Sequence, residues 1–379
     1  MKYRKFTGTD YEMSVFGIGT MRLPVINGDM AKIDEEQSIR MIRKGIDMGV
    51  NYVDTAYMYH EGNSEKLVGK ALKDGYREKV FLADKIPVWS AKTPEDQQVL
   101  FDTQLERCDV DYFDLYLIHN IDEFIWKRVL KYNTYDFVKK MQKEGKVGKI
   151  GFSFHGKTPE FFKEVIDHYN WDFCQIQLNY MDIEEQAGVK GLEYAASRGV
   201  PVVVMEPLKG GMLTDSLPES VKEYWDQAKV KRTPAEWALN WVADRPEVMT
   251  ILSGVSSYEQ LEDNIRILSD AEPNTLSNEE HEIIRKVGEK YNELLLYPCT
   301  DCKYCMPCPH KVSIPDVISY RNDWDMFNHN PKIKDDYNMM IEKIRHASNC
   351  EECGECEEKC PQHLPIMKIM KESAEIFEK

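Results

Sequence analysis

From Met13 to about Leu268 the chain alternates short continuous apolar runs with longer stretches of helical period. Eight runs predict strands, at residues 15–20, 51–55, 80–84, 114–119, 149–153, 174–178, 200–205 and 249–253. Their positions are mostly apolar in succession rather than alternating, as expected when both faces of a parallel sheet are covered. Helical segments fall between them, at 35–47, 63–72, 94–107, 135–143, 159–168, 186–197, 234–243 and 256–268. In the first of these Ile39, Ile42 and Ile46 share one face. Three openings carry a capping signal, Thr-Pro followed by an acid, at 93–95, 158–160 and 233–236. Eight strand–helix pairs in roughly 270 residues predict a (β/α)8 TIM barrel. A doubly wound sheet is the alternative, but no candidate strand is followed by its G-x-G-x-x-G turn. The residues before Val15 predict a short hairpin closing the barrel floor.

Such barrels carry their chemistry at the C-terminal strand ends. The second strand ends in Asp54, followed by TAYMYHEGNSE; the third ends in Asp84-Lys85 and the fourth in His119-Asn120. Each alone is an ordinary loop entry. Together a carboxylate, an amine and an imidazole on three consecutive strands suit proton donation to a carbonyl. A tyrosine hydroxyl, with a pKa near ~10, donates poorly at neutral pH unless an ammonium stabilises its phenolate. A carboxylate beside that ammonium keeps it charged, and an imidazole orients the substrate oxygen. Reduction then requires a hydride from a cofactor over the same barrel mouth.

The motifs NYVDTAYMYHEGNSE, FLADK, DYFDLYLIH, GKIGFSFHG, QIQLNY and GVSSYEQLEDN fall in order at successive strand ends. On these motifs, residues 1–285 resemble an aldo-keto reductase. The resemblance implies a catalytic tetrad of Asp54, Tyr59, Lys85 and His119, with the family spacing selecting Tyr59 over Tyr57. It implies that Ser153 and Gln177 hold the nicotinamide carboxamide, that Asp263 and Asn264 meet the adenine end, and that the backbone of Gly210 and Gly211 approaches the cofactor. Two departures stand out. Met205 occupies the place where many members stack an aromatic on the nicotinamide. The loop 254–260 lacks the Lys or Arg that NADP-committed members carry, leaving the hydroxyls of Ser256, Ser257 and Tyr258. Both NADP(H) and NAD(H) stay open, with family habit favouring NADPH.

Eight of the ten cysteines lie after residue 298, in two runs that each end in Cys-Pro. The second, CEECGECEEKCP, fits the C-x2-C-x2-C-x3-C-P run of bacterial ferredoxins; the first, CTDCKYCMPCP, is one residue shorter before its last cysteine. In such runs three thiolates wrap one cluster and the fourth serves the other. That crossing assigns Cys299, Cys302, Cys305 and Cys360 to one [4Fe–4S] cluster, and Cys350, Cys353, Cys356 and Cys308 to a second. Zinc and disulfides are the alternatives, but zinc sites usually pair C-x2-C units across a longer gap, and disulfides suit a secreted protein, which this sequence does not resemble. Cys108 and Cys174 sit in apolar-patterned segments and read as buried thiols.

The expected architecture is therefore a barrel over 1–285, a connector over 286–298 and a small, mainly α-helical ferredoxin-like domain over 299–379. Helical pattern in 276–297, 312–322 and 332–347 favours the helical type of ferredoxin over the compact βαβ type. A net charge of −16 argues against a nucleic-acid partner. With no apolar leader or membrane-length run, the expectation is a cytoplasmic protein, and the clusters point to low oxygen. Nicotinamide passes two electrons as hydride and a [4Fe–4S] cluster passes one, so a flavin is the group that would join them. The leading functional expectation is reduction of an aldehyde or ketone (or oxidation of an alcohol) with NAD(P)H. The alternatives are an electron-transfer oxidoreductase coupling the clusters to a barrel-bound cofactor such as flavin, and a non-catalytic redox sensor. The acidic residues around the second motif read either as a solvated face or as a docking patch for a basic electron-carrier protein.

Overall fold

The apolar runs close into one parallel barrel in the computed structural model, which describes residues 1–379. An antiparallel hairpin of β1 (Tyr3–Lys5) and β2 (Glu12–Ser14) comes first. Around the barrel follow β3 (Phe16–Gly19), β4 (Tyr52–Asp54), β5 (Phe81–Ile86), β6 (Phe113–Ile121), β7 (Val147–Phe154), β8 (Phe173–Gln177), β9 (Val202–Met205) and β10 (Val248–Ser253). Pairing of β10 with β3 completes the closure, which a doubly wound sheet does not make.

The hairpin plugs the end of the barrel from which the strands start. Phe6 and Met13 are buried in one cluster with Tyr52, Phe173 and Met249, and the rings of Phe6 and Phe173 meet edge-on at 6.0 Å. Burial of each such side chain stabilises by roughly 1.5–3 kcal/mol, enough to hold a hairpin of two three-residue strands in place.

Two of the three Thr-Pro signals cap helices as expected. Thr158 accepts the Phe161 N–H ahead of helix Pro159–His168, and Thr233 forms a reciprocal box with Glu236 ahead of helix Pro234–Ala243. The third does not. Asp96 accepts the N–H groups of Lys92 and Thr93, and the helix begins two residues later than expected, as Asp96–Cys108. A carboxylate accepting two N–H groups outcompetes one hydroxyl for the same turn. The helix Glu123–Lys131 lay outside the sequence reading. It starts directly after β6, with Asp122 accepting from Phe124 and Ile125, so no loop separates strand from helix.

The chain forms two compact units, residues 1–211 with 232–281, and residues 212–231 with 282–379. The boundary expected at 285 falls inside helix Asn278–Glu293. In the second unit the helices Ile314–Met326 and Ile366–Phe377 pack on each other and bury Val317, Ile318, Ile369 and Met370. Tyr337, on helix Pro331–Met340, stacks on Phe377 at 4.7 Å and donates to Glu378 at 2.6 Å. No helix is long and apolar enough to cross a membrane.

Candidate functional site

The barrel mouth gathers the side chains that the strand ends foreshadowed. Lys85, inward-facing on β5, is buried with its ammonium 2.5 Å from Asp54 Oδ1, 2.8 Å from the Thr55 carbonyl and 3.5 Å from the Tyr59 hydroxyl. The Tyr59 ring stands edge-on to the His119 imidazole at 6.1 Å, and the Trp89 ring lies against His119 at 5.1 Å, tilted by 52°. Tyr57 points elsewhere: the Arg107 guanidinium covers its ring at 4.3 Å. His119 is not at a strand end, because β6 continues to Ile121 through an irregularity at Asn120, whose φ is 57°.

Burial and charge set the protonation of this group. Burial pushes the Tyr59 phenol above its ordinary range; the Lys85 ammonium pulls it back only in part. Tyr59 therefore keeps its proton at neutral pH. Burial works against the Lys85 charge, but Asp54 and Tyr59 prevail and hold that amine above its usual value. Burial, with Lys85 and His155 adding repulsion, holds His119 well below the usual imidazole range, so it stays neutral. His119 Nδ1 is buried with no hydrogen-bond partner. His155, immediately after β7, is depressed to about 4 by burial and by Lys85. The sequence reading passed over His155, although it follows Ser153 by two positions in GFSFHG.

The residues expected to meet a nicotinamide nucleotide lie around the same mouth. Ser153 Oγ accepts the Asn120 N–H at 2.8 Å. Gln177 and Met205 are side by side in the β8–β9 register. Gln177 donates to Asp182 at 3.3 Å and accepts from Gln186 at 3.2 Å, while the Gln175 amide faces the Met205 sulfur at 3.5 Å. Gly210 and Gly211 have positive φ; a Cβ on Gly210 would sit 2.9 Å from the Arg22 guanidinium. Ser256 bonds Gln260 in the loop after β10, Asp263 pairs with Arg266 on its own helix, and buried Asn264 donates to Ser253 Oγ at 3.0 Å. Gln175 Oε1 is a buried polar atom without a hydrogen-bond partner, and the Arg22 guanidinium lies over Gly210, so a polar atom and a basic group of the kind a nucleotide's amide and phosphates use are both present.

In the second unit the cysteines ring two cavities. Cys299, Cys302, Cys305 and Cys360 line one, with Ile318, Leu364 and Ile366. Cys308, Cys350, Cys353 and Cys356 line the other, with Val312, Ile314 and Met370, and Cys305 lines this one as well. No three histidine, cysteine or carboxylate side chains converge tightly enough for a single metal ion. Four thiols spread around each cavity fit a multi-atom iron–sulfur core instead. Without it, burial first and neighbouring thiols next push Cys305 up to about 11, and Cys356, with Cys350 beside it, likewise to about 11. The two loops repeat one backbone path. Asp301 and Glu352 have φ of 49° and 50°, Lys303 and Gly354 60° and 81°, and Lys311 and His363 66° and 51°. Each path leads into a helix, at Ile314 and Ile366.

Residues 15–289 match the aldo/keto reductase family, and residues 298–364 match the 4Fe-4S dicluster domain. The NADH-specific methylglyoxal reductase of Escherichia coli is 26% identical over 331 residues, covering 74% of this chain and 96% of that protein. The L-galactose dehydrogenase of Arabidopsis thaliana is 25% identical over 291 residues, covering 72% and 89%. Among solved structures, the holo form of aldo-keto reductase AKR11C1 from Bacillus halodurans superposes with a TM-score of 0.63 at 26% identity, covering 76% of this chain and 96% of that one.

Proposed function

Because this chain belongs to the aldo/keto reductase family, and is thus an oxidoreductase, we propose that its barrel reduces small aldehydes or ketones with NAD(P)H, Tyr59 giving the proton. The observation that carries this reading is the Lys85 ammonium, 2.5 Å from Asp54 and 3.5 Å from the Tyr59 hydroxyl. Nicotinamide, when bound, supplies the hydride. Tyr59 is protonated at working pH and donates to the developing alkoxide; Lys85 stabilises the phenolate left behind. Asp54 keeps Lys85 charged and fixed. Neutral His119, braced by Trp89, orients the carbonyl oxygen without competing for its proton. Ser153, Gln177, Met205, Gly210, Gly211, Ser256, Asp263 and Asn264 are assigned to the nucleotide.

Two relatives bear the name methylglyoxal reductase, which makes a small 2-oxoaldehyde the first substrate to try. Tyr59→Phe should remove methylglyoxal-dependent NAD(P)H oxidation while nucleotide binding, read by fluorescence quenching, persists. Retention of turnover in that variant would overturn the reading. The tail is assigned two [4Fe–4S] clusters, with Cys360 and Cys308 crossing between motifs; when bound, each exchanges one electron at a time. The cavity linings support that assignment. Bleaching of the cluster absorbance on anaerobic addition of NADH or NADPH would favour the second reading, electron exchange between barrel and clusters through a flavin or another mediator.

A further inference from the structure

Behind Lys85, on the outer face of β5, lies a buried polar unit that the proton-donation chemistry does not itself use. Asp84 and Glu65 are both 0% exposed. Asp84 Oδ1 accepts the Lys85 main-chain N–H at 2.7 Å, and Gln104 Nε2 donates to the Lys85 carbonyl at 3.0 Å. Gln104 is steadied in turn by the Tyr116 hydroxyl at 2.5 Å. Glu65 Oε2 meets Arg107 at 2.8 Å, and Arg107 also donates to the Tyr57 carbonyl at 3.3 Å and covers the Tyr57 ring. Arg107 therefore grips the loop two residues ahead of Tyr59. The second Glu65 oxygen, Oε1, is buried with no hydrogen-bond partner, and the Asp84 carboxyl lies beside Glu65.

We infer that Asp84, Glu65 and Arg107 form one positioning unit that sets the separation of the Lys85 ammonium and the Tyr59 hydroxyl. Asp84 fixes the strand that carries Lys85, Arg107 fixes the loop that carries Tyr59, and Glu65 ties the two together. Two buried carboxyls beside a single guanidinium disfavour a second negative charge, so Asp84 stands as a neutral acid next to Glu65. Burial, and then Glu65, push the Asp84 carboxyl well above the ordinary range, in the direction the geometry requires. Cys108 and Tyr116 are the other titratable groups nearby, and both are themselves held protonated by burial. The inference rests on Tyr59 being the proton donor.

The test uses the purified full-length protein with methylglyoxal and NADH. Asp84→Leu and Arg107→Met should each lower kcat by about ten- to a hundredfold, the scale of a misplaced catalytic group, with the KM for methylglyoxal nearly unchanged. Their alkaline pH limb should move upward as Lys85 draws away from Tyr59, whose other neighbours are Asp54, Glu206 and the His119 ring. Asp84→Asn, which keeps one donor and one acceptor, should restore most of the loss. Folded Asp84→Leu and Arg107→Met proteins with the parental kcat and pH limb would overturn the inference. An infrared carbonyl band of a protonated buried carboxyl, present at pH 7 in the parent and absent from Asp84→Asn, supports it even where the leucine variant does not fold; lack of the band in the parent overturns it. Tyr59→Phe separates the two claims. An active Tyr59→Phe defeats the proton-donor reading, whereas an inactive one beside unaffected Asp84 and Arg107 variants defeats the positioning unit alone.

Discussion

Asn322 clamps the backbone of Tyr297 from both sides, its Oδ1 accepting the Tyr297 N–H and its Nδ2 donating to the Tyr297 carbonyl, each at 2.8 Å. Asn322 is 6% exposed on helix Ile314–Met326, so it anchors the strand of chain that enters the first cysteine motif two residues later. Asn322→Ala leaves two polar backbone groups without partners, at about 1–3 kcal/mol each where water cannot replace them. The variant should lose iron from the cavity of Cys299, Cys302, Cys305 and Cys360 faster than the parent during anaerobic gel filtration with a chelator. Equal iron retention would mean the clamp does not hold the motif.

The partition of cysteines between two cavities makes a prediction about pairs of substitutions. Cys299 and Cys360 line the same cavity although they lie in different motifs, and Cys308 lines the other. Cys299→Ala with Cys360→Ala should therefore leave one cluster, with about half the parental iron and sulfide. Cys299→Ala with Cys308→Ala should impair both. Were each motif to hold its own cluster, the two outcomes would exchange. Iron and sulfide analysis with electron paramagnetic resonance of the reduced proteins reads the difference directly.

Matched positions in the two cysteine loops carry different residues in the left-handed conformation. Lys303 has φ 60° and Gly354 has φ 81°. A Cβ on Gly354 would meet nothing within 4 Å, so its substitution tests backbone strain alone. Gly354→Ala should destabilise the second unit by about 1 kcal/mol, and Lys303→Gly should relieve strain of about the same size. Thermal melts of the iron-loaded protein check both directions. An unchanged melting temperature in Gly354→Ala would show that the loop relaxes out of the left-handed region.

Much of the barrel was legible because its chemistry is local. Continuous apolar runs marked all eight barrel strands, and Asp54, Lys85 and His119 stood out as polar residues at or near their ends. The helix Glu123–Lys131 was hidden because its cap, Asp122, follows β6 without a loop. The final helix Ile366–Phe377 carries a clear stripe of Ile366, Ile369, Met370 and Phe377, which the neighbouring cysteines overshadowed. Asp84 was the costlier oversight. Noted only as the neighbour of Lys85 at a strand end, it belongs to the opposite face, since alternate residues of a strand point to opposite sides. What sequence period cannot supply is its meeting with Glu65, nineteen positions earlier, on the helix Asn63–Ala71.

That meeting has a signature in stability as well as in rate. Burial and Glu65 raise the folded-state pKa of Asp84 above its value in the unfolded chain, near ~3.9. Above that pH the unfolded state releases the Asp84 proton while the folded state keeps it, so stability falls as pH rises towards the folded pKa. The slope of this loss is about 1.4 kcal/mol per pH unit within the window. His119 and His155, depressed in the folded state, act oppositely by weakening the fold as pH falls through the usual imidazole range. They are common to the parent and the variant and so largely cancel in the difference. Asp84→Asn, which has no proton to release, should therefore gain in relative stability from pH 5 to pH 8. Denaturant melts of both proteins at each pH supply the measurement. A difference that stays constant across that range would mean Asp84 enters the folded protein already ionised, paired with something other than the Glu65 carboxyl.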